Sequence, residues 1–306
     1  MKDQRIGVLM GGMSTERSIS LKSGTAVAAA LRSRNYQVEE IDVGPDLPRR
    51  LVEAEVQVAW IALHGAFGED GCVQGLLEIM RIPYTGSSVR GSAIAMDKIS
   101  TKRMLEGLGL NLPSDTVWNR GDPAPDIPCP AVAKLPLGGS SIGVKVCQTA
   151  KDLDSALEEF GSQGEVLVEA FVAGEEITVS VIDGSARPVV AIRPQGQGHF
   201  DYTAKYIKGR TEYLVPAPIS PETTTTAQRH AELAYARLGL HGLARIDFIV
   251  DIAGAPWFLE ANTIPGMTAT SLSPMAAGAA GLSFEDLVEH ILLSARLHLD
   301  VHSGEP

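Results

Sequence analysis

Asp247, Glu260 and Asn262 are the residues of this 306-residue chain whose types and spacing point most directly to chemistry. Glu260 and Asn262 alternate, so on a strand their side chains share one face. Asp247 lies in another β-rich run, 244–251, and the two runs read as a hairpin turning at Ala253-Gly254. If the runs pair, three hard oxygen ligands converge, one of them an amide. Such a set suits Mg²⁺ bridging nucleotide phosphates. Arg245, two residues before Asp247, points to the same face and can stabilise charge on a phosphoryl group in transfer. A cross-strand ion-pair cluster is the alternative. Pro265-Gly266 shapes a turn directly afterwards, and Ser271 adds a hydroxyl.

Two further groups suggest anion and amine recognition. Lys134 ends a strand pattern and faces the loop Leu137-Gly138-Gly139-Ser140-Ser141-Ile142-Gly143. Small residues let backbone N–H groups close over an anion, and the lysine adds a point charge. No G-K-[ST] ends the loop, so it is not a P-loop, and a flexible linker fits its composition equally well. Glu169-Ala170-Phe171-Val172 offers a carboxylate, a ring and a strand edge that could hold an adenine. Near the N-terminus a strand ends at Gly11-Gly12. A dinucleotide fingerprint would need glycine at 11, 13 and 16, and the chain has Met13 and Glu16. A carboxylate at that helix end competes with a pyrophosphate and suits a substrate ammonium; simple helix capping is the alternative. His64-Gly65-Ala66-Phe67-Gly68-Glu69-Asp70-Gly71 follows the third strand pattern, at the carboxyl end where parallel sheets place ligands. Its carboxylates could equally just hold the turn.

These residues need elements to position them. The runs 6–10, 36–43 and 56–63 read as buried parallel strands, with helices over 18–33 and 74–80 between and after them, a βαβ arrangement. A helix is expected over 97–108, with Lys98 in its first turn. The segment 120–130 carries four prolines and reads as a surface loop. Strands follow over 131–134, 165–169 and 177–181, and a helix over 151–160. The irregular stretch 193–220 reads as a functional lid. Helices over 222–238 and 283–298 close the chain.

Length suggests two or three domains, and the apolar fraction of 44% supplies enough core for them. The net charge of −11 argues against sequence-independent nucleic-acid binding and against an anionic membrane surface. Cys72, Cys129 and Cys147 are odd in number and far apart, which speaks against a disulfide framework or a zinc site and for reduced thiols in the cytoplasm. The N-terminus has no signal-peptide core and no apolar run spans a membrane.

Taken together these segments resemble the D-alanine–D-alanine ligases of the ATP-grasp superfamily. The resemblance rests on Gly11-Gly12-Met13-Ser14-Thr15-Glu16-Arg17, HGAFGEDGCVQG from His64, Met96-Asp97-Lys98, Gly139-Ser140-Ser141-Ile142-Gly143, FDYTAKY from Phe200, Arg245-Ile246-Asp247 and EANTIPGM from Glu260. It implies an α/β ATP-grasp fold of three α/β domains: a Rossmann-like substrate domain over 1–95, a central domain over 96–176 and a C-terminal domain over 177–306. ATP would lie between the last two. The implied reaction phosphorylates one D-alanine carboxylate with ATP, and the amine of a second D-alanine attacks the acylphosphate, as in peptidoglycan precursor synthesis. The site then needs mainly positioning and charge neutralisation.

Carried over by position, the resemblance implies that Glu16 holds the first substrate's ammonium, with His64 nearby. Lys98, Lys134 and Lys205 contact phosphates, and Glu169, Phe171, Val172 and Glu176 hold adenine and ribose. Ser140 and Tyr206 join Glu16 in a network that closes the lid. Arg245 neutralises the acylphosphate, the N–H of Gly266 serves as oxyanion donor, and Ser271 and Leu272 bind the second carboxylate. Asp247, Glu260 and Asn262 hold two Mg²⁺ or Mn²⁺ ions; a requirement for a monovalent cation stays open, and a homodimer is implied by resemblance alone. Leu135-Pro136-Leu137-Gly138, Ala170 and Phe171 depart from the common pattern. Tyr206 favours a dipeptide product over an ester, while D-lactate, D-serine or another amine remains the competing acceptor.

Overall fold

The computed structural model describes residues 1–138, 143–194 and 211–299. The first sheet is parallel, in the order β2-β1-β3, formed by β1 (Arg5–Gly11), β2 (Gln37–Val43) and β3 (Val58–Ile61). Its near-continuous apolar strands are covered on both faces, as parallel sheets require. Ile6, Val8, Val58 and Trp60 pack on one side against α1 (Arg17–Ser33) and α9 (Phe284–Leu293). Leu9, Ala59 and Ile61 pack on the other with α2 (Leu47–Glu53) and α3 (Cys72–Ile79). Close contact of α1 with β1 depends on Gly24, where an added Cβ would lie 2.5 Å from that of Met10.

The second sheet is antiparallel, in the order β4-β7-β5-β6. It comprises β4 (Asp115–Trp118), β5 (Ala131–Lys134), β6 (Val144–Cys147) and β7 (Val166–Ala170). Helix α6 (Ala150–Phe160) begins at a Thr149/Asp152 capping box and covers one face, setting Leu153, Ala156, Leu157 and Phe160 on Ala131, Ala133, Val166 and Val168. The alternate residues Val132, Lys134, Leu167 and Glu169 therefore point to the opposite face.

The third sheet is antiparallel, β11-β10-β8-β12-β13 with β9 attached to β8. Its strands are β8 (Gly174–Ile182), β9 (Ser185–Ala186), β10 (Val190–Pro194), β11 (Thr211–Leu214), β12 (Leu243–Asp251) and β13 (Pro256–Asn262). Ile177, Val179, Val181, Ile246 and Phe248 bury one face beneath α7 (Pro221–Leu238), α4 (Val89–Met96) and α5 (Lys98–Leu105), which contribute Ala231, Ala234, Ala95 and Leu105. The short helix α8 (Leu272–Ala279) lies against β8 from the other side, where the Ser180 and Ser273 hydroxyls meet at 2.8 Å.

The closing helix expected over 283–298 is a correction: it stops at Leu293. Beyond its cap at Ser294 the chain turns back, and Arg296 exchanges backbone hydrogen bonds with Tyr84. The N–H of His298 donates to the Glu78 carboxylate of α3 at 2.8 Å, so the backbone finds partners on α3 and at Tyr84, which bridges Ala59 of β3, instead of continuing the helix. Helices α2, α4 and α8 and strands β4 and β6 lie in stretches without a periodic signal in the sequence. No described helix is long and apolar enough to cross a membrane.

Candidate active site

The hairpin anticipated from the sequence is present, with one addition. Strands β12 and β13 pair Arg245 with Asn262 and Asp247 with Glu260, and then Phe248 with Phe258. Leu259 is the extra residue of a bulge. In a regular strand Phe258 and Glu260 would share a face. The bulge lets Phe258 pack into the core edge-on to Phe248, ring centroids 6.2 Å apart, while Glu260 turns to the opposite side. That side carries Glu176, Thr178 and Ser180 of β8 and Arg245 and Asp247 of β12 in adjacent rows. The sheet is thus apolar beneath and polar above.

Asp247 is almost fully buried, and its carboxylate accepts from the Thr178 hydroxyl at 2.5 Å and from Arg245 Nε and Nη2 at 2.9 and 2.8 Å. Burial opposes the charge on Arg245, but Asp247, Glu260 and Glu176 outweigh it and raise its pKa further. The Asn262 side-chain oxygen accepts from the Ile264 N–H at 3.0 Å. Among the described residues no group of three His, Cys, Asp or Glu side chains could hold a metal ion. The expected set reaches three only through the Asn262 amide, and its oxygens are the hard donors that Mg²⁺ takes.

Lys98 opens α5 behind Asp97, whose carboxylate accepts from the N–H groups of Ile99 and Ser100 at 2.9 and 3.3 Å. Its ammonium donates to the Gly138 carbonyl at 2.6 Å, so it reaches the start of the Gly/Ser loop. Burial lowers its pKa, Glu260 works against that, and Lys134 and Glu169 also act on it. Groups from both sheets thus meet around Lys98.

Lys134 of β5 and Glu169 of β7 lie diagonally on one face of the sheet and form an ion pair. Glu169 also binds the Lys102 ammonium of α5, which donates to the Pro113 carbonyl at 2.7 Å and lies 3.3 Å from Asp115. Burial pushes the Glu169 carboxyl up, yet the two lysines prevail and hold it below the usual carboxylate range. Phe171 and Val172 lie on the three-residue crossover between β7 and β8, and Glu176 lies on β8.

The first glycine turn places Glu16 at the N-cap of α1, but its side chain makes no cap hydrogen bond. The helix-capping alternative is not what the structure adopts. Its Oε2 instead lies against Gly65, where an added Cβ would come within 3.0 Å. Gly65 has a φ of +70°, a conformation that glycine adopts without strain. The turn after β3 is held by its carboxylates: Glu69 accepts from the Gly65 N–H at 2.7 Å, and Asp70 from those of Phe67 and Cys72 at 2.7 and 3.0 Å. His64 is buried, with its backbone carbonyl accepting from the Ser14 hydroxyl at 2.6 Å.

These pieces enclose one cavity of about 240 Å³. Glu16, His64, Lys98, Arg245, Glu260, Asn262, Gly266 and Leu272 all line it. Ser271 stands at the N-cap position of α8 beside them; its hydroxyl lies 2.8 Å from that of Thr268, and a Cβ on Gly266 would meet it at 3.1 Å. Asp247 does not line the cavity but holds Arg245, which does. Lys134, Glu169, Phe171, Val172 and Glu176 are not part of its lining; they lie on β5, on β7, on the β7–β8 crossover and on β8. Ser140, Lys205 and Tyr206 lie outside the described residues.

Several lining or supporting residues were not anticipated. Ile19 and Tyr213 line the cavity, as do Glu69 and Met96 from two segments already quoted. Thr178 and Lys102 hold acidic residues in place. Val132, Leu167, Ile192 and Ile249 are buried but lie on the faces turned away from the two sheet cores. For Val132, Leu167 and Ile249 the signal was available, since each shares strand parity with Lys134, Glu169 or Asp247, whereas Ile192 lies on β10, which the sequence did not announce.

The C-terminal model of the D-ala D-ala ligases matches residues 125–293, and the N-terminal model matches 45–87. The D-alanine–D-alanine ligase of Syntrophotalea carbinolica is 48% identical over 303 residues, covering 97% of this chain and 98% of that protein. The chain belongs to the D-alanine–D-alanine ligase family. Its α/β architecture is the ATP-grasp fold. The crystal structure of the Bacillus anthracis D-alanine–D-alanine ligase superposes with a TM-score of 0.85 at 35% identity, covering 95% of this chain and 97% of that one. The same ligase complexed with ATP superposes with a TM-score of 0.83 at 34% identity, covering 95% and 96%.

Proposed function

We propose that this protein joins two D-alanines into D-alanyl-D-alanine, converting ATP to ADP and phosphate, to supply a peptidoglycan precursor in the cytoplasm. The observation that carries the reading is the single cavity in which an acidic residue from the first glycine turn faces Arg245, Glu260 and the Gly266 loop. Family membership gives the substrates.

In this reading Glu16 and His64 hold the first D-alanine, ammonium to carboxylate, and turn its own carboxylate toward the γ-phosphate. Lys98, Lys134 and Lys205 hold phosphate oxygens, while Glu169, Phe171, Val172 and Glu176 hold adenine and ribose. Asp247, Glu260 and Asn262 would hold Mg²⁺ or Mn²⁺, which when bound neutralises phosphate charge. A D-alanine carboxylate oxygen attacks phosphorus and ADP leaves. Arg245, kept cationic by its acidic neighbours, balances the charge of the acylphosphate. The second D-alanine, its carboxylate at Ser271 and Leu272, attacks the acyl carbon with its amine. The Gly266 N–H donates to the oxyanion, and phosphate departs. Ser140 and Tyr206 complete the closure with Glu16, and the enzyme works as a homodimer.

The test is ADP release from ATP, Mg²⁺ and D-alanine, with product mass read in the same tube. Dipeptide is expected with D-alanine and none with L-alanine. ADP with a mixed product from D-alanine and D-lactate, or no ADP from folded protein, would overturn the reading.

A further inference from the structure

Helix α1 turns two hydroxyls inward where its pattern calls for apolar side chains. Ser20 donates to the Ala62 carbonyl at 2.7 Å, an ordinary tie between helix and strand. Ser23, three residues on and 1% exposed, is different. Its oxygen accepts from the Met267 N–H at 3.2 Å and lies 3.5 Å from His64 Nε2. One buried hydroxyl therefore touches the residue after Gly266 and a residue of the first-substrate subsite.

A backbone N–H can only donate, so the Ser23 oxygen is the acceptor of that bond and its own proton must go elsewhere. His64 Nε2 is the acceptor that the structure places beside it, provided Nε2 carries no proton. The ring proton then sits on Nδ1, the nitrogen 4.0 Å from the Glu69 carboxylate. Glu69 is fixed in turn by the Gly65 N–H. The chain of contacts runs from Glu69 through His64 and Ser23 to the loop carrying Gly266. Serine, histidine and a carboxylate in this order resemble a nucleophilic triad, but Ser23 does not line the cavity, so it cannot reach a substrate.

Resting on the ligase reading, we infer that Ser23 is a positioning residue. It fixes the Gly266 N–H relative to the bound first D-alanine and holds His64 in its Nδ1–H tautomer. A donor aimed at charge that develops during reaction loses value with small displacements. Loss of the hydroxyl therefore lowers turnover and leaves the nucleotide held by the other two sheets untouched.

The test compares wild type, Ser23→Ala and Ser23→Thr. ADP formation is measured against D-alanine, ADP affinity by calorimetry, and the His64 tautomer in wild type by ¹⁵N NMR, its signal assigned with His64→Gln. The expected result is a fall in kcat of at least about tenfold for Ser23→Ala, unchanged ADP affinity, recovery in Ser23→Thr and a proton on Nδ1. Three results would overturn it: turnover of Ser23→Ala within twofold of wild type; a parallel loss of turnover and ADP affinity without rescue by threonine; or a proton on Nε2. The tautomer is read on wild type, so the inference stays testable if Ser23→Ala fails to fold. A wild type that makes no ADP would instead defeat the ligase reading itself.

Discussion

Replacing Lys102 with methionine tests whether the buried charges between α5 and the four-stranded sheet are energetically real. Methionine keeps most of the apolar stem, so little cavity forms and the change isolates the ammonium. The lysine is 4% exposed, as is the side chain of Glu169. Its removal leaves the Pro113 carbonyl without that donor and leaves Glu169 to Lys134 alone, while Asp115 keeps Arg103 at 2.8 Å. Breaking one side of a buried ion pair costs about 3–5 kcal/mol, and at roughly 2–4 °C per kcal/mol the thermal midpoint falls by about 10 °C. The pH dependence gives an independent sign. Glu169 is held below its ordinary 4.5, so its contribution is complete above that value and lost as pH falls through the folded-state value. In Lys102→Met burial opposes only one lysine, the depression shrinks, and the acid loss begins at higher pH. Thermal unfolding followed by circular dichroism between pH 3 and 8 reads both effects. A midpoint within roughly 2 °C of wild type with an unmoved acid limb would refute the reasoning.

Other substitutions address the cavity. Glu260→Gln is expected to lower turnover by at least about a hundredfold with an unchanged far-ultraviolet spectrum; normal activity would sink the metal assignment. Gly65→Ala forces a side chain at a φ of +70° against the Glu16 carboxylate. Strain of about 1–3 kcal/mol should raise KM for the first D-alanine more than KM for ATP, and equal effects on both would argue against Glu16 as the ammonium site. Tyr206→Phe should weaken substrate affinity and rate several-fold, by about 1 kcal/mol for one lost hydrogen bond. Unchanged kinetics would remove Tyr206 from the closure network.

The β12–β13 hairpin was readable because alternation is local: Asp247, Glu260 and Asn262 needed only two paired strands. The Leu259 bulge was not readable, since a bulge depends on which of Phe258 and Glu260 the core below demands. The two glycine turns were visible from their residues, whereas the identity of Glu16's neighbour required the second turn to fold beside it. Strands β4 and β6 were silent because four-residue edge strands carry too little pattern. The Lys102–Glu169 pair spans 67 positions and the Ser23–Met267 contact 244, and no periodicity reports such distances. Helix α9 was read too long because its amphipathic pattern runs on after the backbone has found partners at Tyr84 and on α3.

The attachment of the four-stranded sheet has a mechanical consequence. Chain enters it from α5 at β4 and leaves it from β7 to β8, and Asp115 and Glu169, at those two points, are paired neighbours. Both tethers emerge at one edge, joined by the Ala170 N–H donating to the Ser114 carbonyl at 2.9 Å. A plate fastened along one edge swings about that edge. The Lys102 charges sit at those two tethers. At the far end, Lys98 grips Pro136 and Gly138 like a catch. Displacing this sheet from α5 would break the Lys98 contacts, so under the ligase reading one ammonium serves both the catch and the phosphates.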